Sequence, residues 1–242
     1  MIAGAHQPHF LPWLGYLDKV RRSDVFVIVD HVQFERQNFQ NRNRILGHAG
    51  PQWLVVPVRQ RSRDERIVDK EIDDRRDGRT TWNEKLVLSL QHAYGRAPFF
   101  RPYFAELEAL LLGPWSRLVD LDEALLRWFL DVFEIRARIV RSSTLPGIAG
   151  TKTQLIASML GAVGATTYLS GAGGSRLYLD VDLLTARGIE VQWQTFEHPR
   201  YSQVHAPSSF VPKLAALDLV FNCGPASPAI LRGEAAVEAS AP

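Results

Sequence analysis

The chemistry-bearing groups of this 242-residue chain gather at its N-terminus, where His6-Gln7-Pro8-His9 sets two imidazoles around a Gln-Pro pair. Imidazole titrates near neutral pH and is the natural general base, so His6 is the first candidate for that role. An apolar segment that ends in Gln-Pro reads as a strand emptying into a rigid turn, because Pro8 fixes φ and has no N–H to donate. A second apolar run, residues 25–29, ends in Asp30 and leads to Gln33. Two adjacent strand ends would deliver His6, Gln7, His9, Asp30 and Gln33 to one edge, the edge at which open α/β sheets bind ligands.

Three further clusters could add to that edge. Asn38, Asn41, Arg42, Asn43 and Arg44 form a dense polar run. A guanidinium matches carboxylate and phosphate oxygens with a planar fork, so Arg42 or Arg44 is expected to grip an anionic group, with Asn41 orienting it. Ser170-Gly171-Ala172-Gly173-Gly174 follows a predicted strand, and its glycines let backbone approach a phosphate or carbonyl closely. No Gly-Lys-Ser/Thr follows, so it is not a P-loop. His198 and Tyr201 fall just beyond another predicted strand end, which makes His198 the second general-base candidate. Cys223 stands at a predicted helix C-terminus, where the negative end of the dipole raises a thiol pKa and disfavours a nucleophile. No HxxxH, HxH or CxxC spacing appears, and no metal site is expected.

Composition narrows the function classes. A net charge of +2, with arginines dispersed among acids, argues against a nucleic-acid footprint. One cysteine excludes an internal disulfide framework and fits a reducing, cytoplasmic setting. There is no secretory pattern at the N-terminus and no run of about 18 apolar residues, so no membrane insertion is expected.

Patterning predicts strands over 2–6, 25–29, 53–58, 67–72, 138–141, 167–169 and 190–196. Helices are expected over 14–22, 151–163 and 214–221, and through most of 80–133, where Thr80 or Thr81 supplies a cap and Gly113-Pro114 a break. Strands alternating with helices give a single α/β domain over 1–242 with a Rossmann-like, doubly wound, mostly parallel sheet. Residues 80–133 read as a helical insertion or cap, and 226–242 as a weakly ordered tail.

The HQP…PWLGY opening, the DHVQF step, the NRNR cluster, WLVVPV at 53–58, YGRAPFF at 94–100, YLSG at 168–171, EHPRYSQ at 197–203 and DLVFNCG at 218–224 together resemble the WbqC-like protein family. That family occurs in bacterial clusters for surface polysaccharides and some secondary metabolites. The opening is also similar to that of the nucleotidyltransferase branch of Rossmann-like folds, although Trp13 and Tyr16 stand where its signature histidines would be. The family setting implies a cytoplasmic, metal-independent acyl or aminoacyl transferase that forms an amide on a small amine-bearing substrate in surface-glycan or natural-product biosynthesis. Its donor would be a thioester on coenzyme A or an acyl carrier protein, with no other cofactor required. The alternatives are a nucleotidyltransferase or ATP-dependent ligase using ATP, and a non-catalytic partner of a biosynthetic enzyme or carrier protein.

Overall fold

A computed structural model describes residues 1–75, 78–171, 173, 175–205 and 209–234. In chain order its elements are β1 (Ile2–His6), α1 (Leu14–Arg21), β2 (Val25–Ile28), β3 (Arg42–Gly47), β4 (Gly50–Val55), α2 (Trp82–Tyr94), α3 (Phe100–Leu111), α4 (Leu118–Val132), β5 (Arg138–Arg141), α5 (Lys152–Val163), β6 (Thr167–Ser170), α6 (Ser175–Tyr178), α7 (Val181–Thr185), β7 (Glu190–Trp193), α8 (Leu217–Cys223) and α9 (Ser227–Arg232). They fall into two compact units. The first contains Met1–Pro8, Gly15–Val32 and Ile135–Glu197; the second contains His9–Leu14, Gln33–Glu134 and His198–Pro242.

The first unit is built on a five-stranded sheet in the order β5-β2-β1-β6-β7, with every pair parallel. Val25-Phe26-Val27-Ile28 is buried along its whole length, as a strand covered on both faces must be. On one face Ala3, Ala5, Val25 and Val27 pack against Ile156, Ala157, Met159, Leu160 and Val163 of α5 and Leu184 of α7. The other face carries α1, where Leu17 and Val20 are fully buried and the Tyr16 ring meets Phe26 edge-on at 5.2 Å. Gly4 permits this approach, since a Cβ there would stand 2.5 Å from Ser23 Oγ and 2.9 Å from the Phe26 ring. Helices on both faces of a parallel sheet make the fold Rossmann-like and doubly wound, as the patterning predicts.

The second unit holds the antiparallel hairpin β3–β4, helices α2, α3 and α4, and the pair α8 and α9. Thr81 caps α2 in a full capping box with Glu84. Helices α2 to α4 bury Leu90, Tyr94, Leu107, Leu111, Leu125 and Phe129. Two strand expectations need correction here. The strand anticipated over 53–58 runs instead from Gly50 to Val55, because Pro57 has no N–H for a ladder. The one anticipated over 67–72 is a short 3₁₀ turn, Ile67–Asp69, with Ile72 joined to Val58 by an isolated bridge. Ala172, Gly174 and residues 235–242 of the anticipated tail lie outside the described residues. No helix among the described residues is long and apolar enough to cross a membrane.

Candidate functional site

Read by their order along the chain, the sheet strands run 3-2-1-4-5, and the direction of winding reverses between β1 and β6. Connections leave that switch point in opposite directions, which opens a crevice at the carboxyl ends of the two strands. The ladder reports the opening directly. β1 pairs with β6 only from Ile2↔Thr167 to Gly4↔Leu169, whereas β1–β2 continues to His6↔Ile28 and β6–β7 to Ser170↔Trp193. Past Gly4, therefore, β1 and β6 part. Four of the residues singled out in the sequence, His6, Gln7, Ser170 and Gly171, come from these two parting strand ends.

The His6 ring reaches solvent and lies edge-on to Tyr16 at 5.4 Å. Its Nδ1 is 3.0 Å from the Gln7 carbonyl, which fixes a proton on Nδ1 and leaves Nε2 as the basic nitrogen. Desolvation by the protein packed around this strand end, and then the Lys19 ammonium, lower its pKa to about 4, with the Gln7 carbonyl acting in the opposite sense. His6 is thus neutral at physiological pH. Asp30, at the end of β2, is completely buried. Its Oδ1 accepts from Ser142 Oγ at 2.9 Å and Ser143 N at 2.8 Å, and its Oδ2 from Ser143 Oγ at 2.7 Å. This carboxylate ties the end of β2 to the end of β5. Ser142 Oγ also meets His31 Nδ1 at 2.6 Å.

The remaining sequence candidates belong to the second unit. Residues 42–44 of the polar run open β3, and strand alternation separates the Asn43 amide from the two guanidiniums. Asn43 points inward and donates to the Leu11 carbonyl at 2.6 Å. Asn41, at the lead-in, donates to the Val56 carbonyl at 2.8 Å. Arg42 and Arg44 point outward, and both guanidiniums lie over the exposed Trp53 ring, at 4.3 and 5.8 Å from its centre. Phe39 adjoins Trp53 at 6.1 Å, and His9 stacks on Phe39 at 5.5 Å. Neither arginine has a carboxylate partner among the described residues. Cross-strand pairing of Arg44 with Trp53 builds this platform, and Trp53 was not distinguishable in the sequence from an ordinary strand tryptophan.

Gln33 does not join these groups; its amide donates to the Arg63 carbonyl at 2.7 Å. His198 stacks on Tyr201 at 6.4 Å and its Nδ1 meets the Pro199 carbonyl at 2.9 Å; burial lowers its pKa. Tyr201 is buried against the fully buried Asp218, which also accepts from Tyr94 Oη at 2.9 Å and Gln203 Nε2 at 2.7 Å. Burial drives the Tyr201 phenol pKa well above its usual value, with the nearby Asp218 adding to the rise. Burial, reinforced by Asp218, pushes the Cys223 thiol up to about 11, in the direction expected of a non-nucleophilic position. Among the described residues no group of three or more His, Cys, Asp or Glu side chains is placed to hold a metal ion.

The residue that sequence reasoning missed is Lys19. It lies in α1 beside Asp18 and close to Arg21 and Arg22, where a lysine looks like one more solvated charge. It is instead buried, with Nζ 2.8 Å from the Ala5 carbonyl at the end of β1.

A parallel sheet of this order, with polar groups converging on its switch point, defines a doubly wound Rossmann-like protein. Its family follows from the sequence as a whole: the WbqC-like protein family model matches residues 7–230, and the chain belongs to that family. It is similar to the uncharacterized protein Rv1507c of Mycobacterium tuberculosis (strain ATCC 25618 / H37Rv), with 30% identity over 228 residues, 93% of this chain and 95% of that protein. No solved structure matches the chain.

Proposed function

We propose that this chain is a metal-independent acyl or aminoacyl transferase that forms an amide on an amine-bearing substrate, working in the cytoplasm in surface-glycan or natural-product biosynthesis. The observation that carries the reading is His6, a solvent-reaching imidazole held neutral at the end of β1. In the reaction the amine nitrogen attacks the carbonyl carbon of a thioester on coenzyme A or an acyl carrier protein. A C–N bond forms while Nε2 of His6 takes the amine proton. The C–S bond then breaks, and the imidazolium returns that proton to the departing sulfur, giving amide and thiol. A pKa of about 4 makes the imidazolium a ready proton donor in this second half. Gln7, Ser170 and the Gly171 N–H are assigned to the developing oxyanion. On the second unit, Arg42 and Arg44 over Trp53 present two guanidiniums to an anionic group, while Asn41 and His9 of the same unit are buried. His198 is the second candidate base.

His6→Ala is expected to reduce amide formation from a pantetheine thioester and an amine on the order of 100-fold. His198→Ala tests the other imidazole. Full activity in both variants would remove the base from the mechanism. The strand order favours one other reading, a nucleotidyltransferase or ATP-dependent ligase with phosphates at the same switch point. Mg-ATP at 100 times its Kd would then stabilise the protein by about 2.7 kcal/mol, and pyrophosphate would be released on turnover.

A further inference from the structure

The described residues bury two lysines, and the contrast between them is informative. Lys70 is 0% exposed, and its ammonium is matched by Glu65 Oε2 at 2.8 Å, with Gln60 Oε1 at 3.3 Å. Lys19 is 4% exposed and has no carboxylate within salt-bridge distance. The acid beside it on α1, Asp18, is already engaged by Arg21 at 2.8 Å, Arg22 at 3.7 Å and Gln194 at 2.9 Å. An ammonium carries three N–H donors. That of Lys19 gives one to the Ala5 carbonyl at 2.8 Å, and no second acceptor among the described residues lies within bonding distance.

Its location gives this a meaning. Ala5 is the first β1 residue beyond the last β1–β6 pair, so the ammonium stands where the two strands part. It also lies over the ring of Tyr168, at 5.8 Å, on the β6 side of that opening. At the end of β6 the Ser170 hydroxyl is fully buried and makes no hydrogen bond of ordinary geometry among the described residues; the Tyr168 phenol is its polar neighbour. A buried cation without a counter-charge and a buried hydroxyl without a hydrogen bond of ordinary geometry are each costly to maintain. Here both surround one tyrosine at the crevice where this class of sheet binds ligands. Desolvation depresses the Lys19 pKa to about 8, in keeping with a charge that lacks its partner.

We propose that Lys19 and Ser170 form an oxyanion-binding site at the switch point, which takes the carboxylate or phosphate group of a ligand between the parting ends of β1 and β6. The ammonium supplies the charge and two donors, and the serine hydroxyl supplies a third. The site shares Ser170 with the transferase reading, but its test reads Lys19, which that reading does not use, so either can fail while the other stands.

The test follows the lysine side-chain resonances of the full-length protein by NMR across a pH titration in chloride, phosphate and acetate at matched ionic strength. An oxyanion seated beside the ammonium should raise the Lys19 pKa by about one unit or more, while Lys70 serves as the unmoved control. A rise in phosphate assigns a phosphate-bearing ligand, and a rise in acetate assigns a carboxylate. The same Lys19 value in all three solutions overturns the proposal. Thermal unfolding adds a second readout. The anion that moves Lys19 should raise the melting temperature of the wild type and fail to raise that of Lys19→Met. Equal stabilisation of both proteins would overturn the assignment, and the NMR result stands alone if Lys19→Met does not fold.

Discussion

Asp30 and the pair Arg42 and Arg44 illustrate how differently residues of similar sequence appearance are used. Asp30 reads as a ligand-facing acid at a strand end, and it does stand at one, but its carboxylate accepts from both Ser142 and Ser143. Three donors on one buried carboxylate make it a fastener between β2 and β5. Asp30→Ala leaves those donors unsatisfied and is expected to lower stability by about 3 kcal/mol, read as a drop in the urea midpoint at constant slope. A midpoint equal to that of the wild type would mean that serine–serine or solvent contacts replace the bonds. The arginines behave in the opposite way, facing outward over Trp53 while Asn43 between them turns in to the Leu11 carbonyl. The sequence contains the alternation, but a four-residue polar run without an apolar partner gives no sign of its period.

At the scale of elements, apolar runs and caps were legible and polar strands were not. β1 and β5 fall where the residue pattern puts them, and of the two threonines offered as the cap of α2 it is Thr81 that serves, because short apolar runs and capping boxes act over a few neighbouring residues. β3 was invisible, since its partners are the residues of β4 rather than its own neighbours. The approach of α1 to the sheet depends on a single missing methyl at Gly4. Gly4→Ala would press a Cβ against Ser23 and the Phe26 ring, and is expected to cost about 1–3 kcal/mol in thermal or chemical unfolding. Because Ser23 Oγ donates to the Lys19 carbonyl at 2.8 Å, the same change should disturb the placement of Lys19. Unaltered stability in Gly4→Ala would show that α1 has room to retreat from the sheet.

Across the whole molecule, protonation couples to stability through histidine. Desolvation lowers the pKa values of His6, His198 and His205 in the fold, that of His6 although its ring reaches solvent. As pH falls below 6.5 the unfolded chain therefore takes up protons first, and stability declines. For His6 the window runs from 6.5 down to about 4. Asp218 works in the other direction, since burial raises its pKa and the fold gains stability as that carboxyl protonates. The comparison that isolates His6 is the melting temperature of wild type and His6→Asn over this window, where the wild type should fall more steeply on acidification. Parallel curves would show that the ring titrates alike in folded and unfolded chains.

The sequence by itself determined the family, the α/β class, most strand and helix positions, and the presence of His6, Gln7, Ser170 and Gly171 at strand ends. These are carried by local periodicity, turn residues and motifs read in one stretch of chain. Only the tertiary structure decided which strand ends share the switch point, because β1 and β6 are neighbours across more than 160 residues of chain. It alone turned Lys19 from a helix-surface charge into a buried cation at the parting of those strands. β1 and α1 lie in one stretch of chain, but β6 with Tyr168 comes from far along it, and burial belongs to all three packed together.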